Sequence, residues 1–150
     1  MEVDITKLVN NFIPSLDIRE IINFGDEYLI NTDIRNLDNV EVRGTISKGE
    51  MGIYNLNLNI DGVMILPCSV SLEDVDYPFS IEISEILTDM EEKDENYIKF
   101  NGNAIDILPI IWQNIVMEIP LKVVSPKLDR RNIAGIGWKL ITEDDQDENN

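Results

Sequence analysis

Across residues 54–60 the chain alternates without interruption, with Tyr54, Leu56, Leu58 and Ile60 on one side and Asn55, Asn57 and Asn59 on the other. A side-chain period of two belongs to a β-strand with one buried and one wet face. Ile53 is out of phase, so the strand pattern proper starts at Tyr54. Asp61-Gly62 comes next, and such a pair between apolar runs signals a two-residue hairpin turn, with residues 63–67 returning as the partner strand. The same period recurs over 77–86, where Phe79, Ile81 and Ile83 alternate with Ser80, Glu82 and Ser84. Upstream, Val40, Val42 and Ile46 extend the β pattern, and residues 17–24 read as an extended piece before a turn at Gly25-Asp26.

Two helices interrupt this pattern. Ile5, Leu8, Val9 and Phe12 recur at helical spacing behind a Thr6 cap and stop at Pro14, although the first five residues open equally well as a strand. Residues 108–118 are apolar nearly all round, with Pro109 at a first helical position and Pro120 after the end. A helix of that kind is buried against a sheet. Residues 97–100 add a short strand before an Asn101-Gly102 turn, and 121–137 read as a basic loop, with 138–141 able to pair at a sheet edge. The 150 residues fit one domain. The expected fold is therefore α+β, a single domain with an antiparallel sheet of about four to six strands and helix 108–118 packed on its apolar face. The domain is expected to span 1–142, with 143–150 as a disordered acidic tail.

The chain has no histidine and a single cysteine, Cys68. Imidazole acid–base chemistry, His-activated nucleophiles and His-based metal sites are thereby removed, as is any intramolecular disulfide. The acids opening the chain stand where a secretory signal has bases, and no apolar run approaches the roughly 20 residues of a membrane span, so a cytoplasmic location is expected. The carboxylate pairs Asp74/Asp76 and Asp144/Asp145 lie in turn-like or tail segments and read as solvated surface. Gly44, Gly49 and Gly52 match no phosphate-loop fingerprint, and Asp26-Glu27 and the acids at 91–95 lack the spacing of a calcium loop. Cys68, at a strand end near the acids of 73–76, reads as a small buried hydrophobe. Trp112 reads as core, and Trp138 either as an edge-packing anchor or as an exposed recognition residue. No catalytic residues, metal, cofactor or small-molecule substrate are expected.

The formal net charge is −17, and it is unevenly spread. Residues 73–95 hold ten acids and one base, while 122–139 hold five bases and one acid. An acidic shell repels phosphate backbones and attracts basic partners. The bases Lys122, Lys127, Arg130, Arg131 and Lys139, with Trp138, are the candidate binding residues. They either neutralise the chain's own acids or meet a phosphate-bearing partner.

The run from Ile65-Leu66-Pro67-Cys68 through Leu72-Glu73 to Tyr77-Pro78-Phe79 resembles the YceD-like family, the large ribosomal RNA subunit accumulation proteins. Val42-Arg43-Gly44-Thr45-Ile46, Ile105-Asp106-Ile107-Leu108-Pro109, Ile119-Pro120-Leu121-Lys122 and Gly137-Trp138-Lys139-Leu140-Ile141 match in the same order, covering about residues 1–142. Where the family often has Cys-x-Arg-Cys, this chain has Cys68-Ser69-Val70-Ser71, and Val123-Val124-Ser125-Pro126 lacks the later cysteines of many members. A thiolate zinc site needs about four soft ligands, and this chain offers one. The resemblance implies a non-catalytic binding protein supporting accumulation of large-subunit ribosomal RNA, through ribosomal RNA or a basic ribosomal protein. The alternatives are an RNA-processing enzyme using Asp or Glu with Mg²⁺, and an acidic interaction module unrelated to the ribosome.

Overall fold

The structure is a computed structural model that describes residues 1–50, 52–90 and 96–125. In chain order the elements are β1 (Glu2–Asp4), α1 (Thr6–Val9), β2 (Ser15–Phe24), α2 (Asp26–Leu29), β3 (Leu37–Lys48), β4 (Ile53–Pro67), β5 (Asp74–Thr88), β6 (Ile98–Lys99), β7 (Ala104–Asp106) and α3 (Leu108–Glu118). Five strands form one sheet in the order β2-β3-β4-β5-β6, and β1 pairs with β7 in a second, two-stranded sheet. The pairings are antiparallel except between β5 and β6, which run parallel, so the sheet is mixed. The fold is α+β, with α3 at the expected residues on the apolar face.

The long strands β4 and β5 dominate the sheet. In β4, Tyr54, Leu56, Leu58, Ile60, Met64 and Leu66 all point into the core. The period of two is thus unbroken for 15 residues, and no hairpin forms at Asp61-Gly62. Every residue from Ile53 to Pro67 has a partner on β5, including Gly62, which lies opposite Phe79. Local turn preference loses here because the β5 ladder runs unbroken through Asp61 and Gly62, while on the other side the β3 ladder reaches as far as Asp61 and Asn36 bridges Ile65 beyond it. The Asp61 carboxylate accepts a bond from Arg43 on β3 at 2.9 Å. Gly62 is needed for space rather than for a turn, since a Cβ there would lie 2.9 Å from Phe79 Cζ. The Phe79 ring covers bare backbone, as an aromatic does over a strand glycine.

The reversal comes later, at residues 68–73. Cys68 N–H donates to the Glu73 carbonyl at 2.8 Å, Leu72 N–H donates to the Cys68 carbonyl at 2.9 Å, and Leu72 sits at φ 64°. Gly44 is the other glycine that packing demands, because a Cβ on it would overlap the Asn57 carbonyl oxygen of β4.

The helices are less regular than their patterns suggest. In the opening segment the strand reading holds for residues 2–4 and the helix lasts one turn; Thr6 does not cap it. Instead Asp4 Oδ1 accepts both the N–H and the hydroxyl of Thr6, at 2.9 and 2.6 Å. Asn11 then takes a left-handed conformation, and Phe12 points to solvent. In α3, Ile111 and Ile115 are fully buried while Met117 is 75% exposed. A largely apolar sequence therefore buries one stripe here, because among the described residues the sheet side is where it finds a partner. Trp112 is half-buried at the rim of the core, its ring 5.2 Å from that of Phe24 and 5.3 Å from that of Tyr28. Among the described residues no helix is long and apolar enough to cross a membrane.

Candidate functional site

The alternation that buries the even-numbered residues of β4 lays the odd-numbered ones on the opposite, wet face. Strand register carries that face across four strands in rows. One row runs Asp17, Thr45, Asn57, Ser84; the next Arg19, Arg43, Asn59, Glu82; the third Ile21, Glu41, Asp61, Ser80. None of these positions is aromatic, so the rows offer no platform on which nucleic-acid bases would stack. Of the two bases, Arg43 is already paired with Asp61. The Asp61 carboxyl is held below its usual value, first by the Ser80 hydroxyl and then by Arg43. A shallow depression of about 720 Å³ opens at the end of the third row, between Ile21, Glu41, Asp61, Val63, Pro78 and Ser80. Its charged lining is acidic, which disfavours a phosphate.

Along its length β5 carries Asp74, Asp76, Glu82 and Glu85 and no base. Asp74 is tied to Arg35 at 2.7 Å, across a separation of 39 residues. Asp76 and Glu82 stand exposed.

A third feature sits at the turn between β4 and β5. Cys68 is fully buried, and its Sγ accepts N–H bonds from Val70 and Ser71 at 3.4 Å and from Ser125 at 3.3 Å. Burial pushes this thiol up, but the Ser71 hydroxyl and the N–H groups of Ser71, Ser125 and Val70 outweigh it and bring it down to about 7. The nearby acids therefore do not decide its state. Ser71 stands where the family pattern has its second Cys, and here it stabilises the first. The contact with Ser125 spans 57 positions and had no local signal. The expectation of a buried Cys68 holds; its role as a multiple acceptor was not legible.

Of the candidate binding residues, only Lys122 lies among the described residues. It is exposed and borders a cavity of about 140 Å³ lined also by Asp33, Cys68, Leu72 and Leu121. Lys127, Arg130, Arg131, Trp138 and Lys139 lie outside the described residues, as does the acidic tail 143–150. Among the described residues, no three His, Cys, Asp or Glu side chains are grouped to hold a metal ion.

Fold and surface together define an α+β domain whose sheet is apolar on one face, polar on the other and acidic along β5. A family model described as large ribosomal RNA subunit accumulation protein YceD matches residues 56–150. An uncharacterised protein, YlbN of Bacillus subtilis (strain 168), is 32% identical over 139 residues, spanning 88% of this chain and 80% of that relative. No solved structure matches. The chain belongs to the YceD family, which is described by the accumulation of large-subunit ribosomal RNA.

Proposed function

We propose that this chain is a non-catalytic, cytoplasmic binding protein that supports large-subunit ribosomal RNA accumulation by holding a basic ribosomal protein. Contact with ribosomal RNA is the other route the family description allows. The observation that favours the protein partner is the charge of β5 and the rows beside it. Neutralising several phosphates takes several free cations, and on the three central rows Arg43 is already engaged by Asp61. A basic protein meets the opposite situation, since Asp76, Glu82 and Glu41 are exposed and face solvent. Complementary charge of this kind steers encounter and selects partners.

The test is a pull-down of tagged protein from a low-salt lysate, split into RNase-treated and untreated halves. Ribosomal proteins retained after RNase treatment are the expected result. Loss of all of them on RNase treatment transfers the reading to RNA and to the basic segment 122–139.

A further inference from the structure

One edge of β5 is paired along its whole length with β4. In an antiparallel ladder, successive residues turn their N–H and C=O groups to opposite edges. Three observations identify the residues that turn away from β4. Pro78 has no N–H to give. Ile65, opposite Asp76, exchanges its bonds on the far side, accepting from Arg35 at 2.7 Å and donating to Asn36 at 3.0 Å. The Thr88 carbonyl accepts the Phe100 N–H at 3.0 Å, on the β6 side. All three fall on even numbers, so the outward groups belong to Asp76, Pro78, Ser80, Glu82, Ser84 and Ile86.

Among the described residues β6 covers this edge only at Leu87 and Thr88. The stretch from Asp76 to Ile86 leaves a row of main-chain donors and acceptors with a single gap at Pro78. Exposed strand edges of this length template the pairing of another strand. We propose that this edge takes up an extended basic polypeptide segment as an added strand. The proposal rests on the binding reading above and names its surface and mode.

Charge chooses the occupant. The residues that carry the outward groups include Asp76 and Glu82, whose side chains lie on the wet face, and β5 has no base. A second copy of β5 would meet its own acids, and like charges across a ladder repel. A strand carrying Lys or Arg on its wet-face positions meets opposite charge at the same places. Its other positions fall beside Tyr77, Phe79, Ile81 and Ile83, which are slightly more open than the core centre: Phe79 and Ile81 keep 7% and 8% exposure where Ile60 keeps none. The segment recognised therefore alternates basic and apolar residues. Main-chain bonds supply affinity and the alternating side chains supply selectivity, as in other strand additions.

The test uses the full chain, isotope-labelled, with a capped synthetic peptide of about six Lys-Val repeats, long enough for the free edge at roughly 3.3 Å per residue. Added peptide slows amide exchange at Asp76, Ser80, Glu82, Ser84 and Ile86 by about tenfold or more and leaves the odd-numbered amides of β5 unchanged. Ser84→Pro removes one outward donor that β4 does not use, and weakens peptide binding on the order of tenfold. Glu82→Lys weakens it as well, and more than Glu41→Lys, which changes the same charge two strands away. The exchange pattern and the Glu82→Lys comparison stand even if Ser84→Pro does not fold. Peptide binding that protects none of these amides overturns the proposal. So does finding them already protected in the free protein, which would show the edge occupied by the chain's own residues.

The two readings fail separately. Ribosomal proteins captured equally by wild type and by the Ser84→Pro and Glu82→Lys variants overturn the edge and leave the ribosomal reading. The exchange pattern with the peptide, combined with no ribosomal protein captured by wild type, leaves the edge and removes that reading.

Discussion

The two faces of β4 are made by the same residues in turn, yet they answer to different physics. On the inner face Leu56, Leu58 and Ile60 are at most 2% exposed, packed between β3, β5 and the helices. On the outer face Asn57 and Asn59 meet water, and their neighbours across the rows are Ser, Thr and charged residues. A position on the inner face is chosen by volume, because interiors are packed to the density of organic crystals. A position on the outer face is free of that demand and remains available for contact with a partner.

The largest expected effect separates the faces directly. Leu58→Ala removes a fully enclosed side chain and costs about 2–5 kcal/mol, while Asn57→Ala, one residue away, stays within about 0.5 kcal/mol. Denaturant unfolding of the two variants measures both. Equal losses would mean that the outer face is covered.

Next comes Gly62→Ala. Its new methyl meets the Phe79 ring on the inner face and costs about 1–3 kcal/mol by overpacking. Phe79→Leu alongside it recovers part of that loss. Urea midpoints that show no coupling between the two substitutions would contradict the continuous strand and restore a turn at Asp61-Gly62.

A smaller effect comes from Cys68, where the inner face meets the end of the sheet. Its thiol is depressed from the ordinary 9.0 to about 7, so the folded state loses the proton before the unfolded state does. Stability therefore rises from pH 7 to pH 9 and is lost again as pH falls through about 7, a change of roughly 1–2 kcal/mol. Thermal unfolding across that range checks it, and Cys68→Ala should flatten this component of the pH dependence. A wild-type profile no steeper than that of the variant would show that the three N–H donors do not favour the thiolate.

The smallest effect belongs to the outer face. Arg43→Ala breaks the exposed pair with Asp61 and costs no more than about 1 kcal/mol, a difference that added salt erases.

The faces of β4 and β5, and the span of α3, were legible because each depends on the periodicity of neighbouring residues alone. The hairpin was misplaced for a complementary reason. Asp61-Gly62 has strong turn chemistry, but its preference is local and small beside the β5 ladder that continues through both residues. Only the assembled sheet shows Phe79 lying over Gly62. The candidate site divides in the same way. The acidic character of β5 could be counted from the sequence, whereas the direction of its free main-chain groups follows from pairings with Ile65 and Phe100.

What the sequence determined by itself is what short-range pattern can express: alternating burial, the bounds of the apolar helix, the surplus of acid and the absence of histidine chemistry. Tertiary structure decided which strand lies beside which, the parallel direction of β6, the reversal at residues 68–73, and the meeting of Cys68 with Ser125. The reason is one of range. Periodicity needs only the next few residues to be read, while an N–H from position 125 reaches a sulfur at position 68 only after the intervening chain has folded around its core.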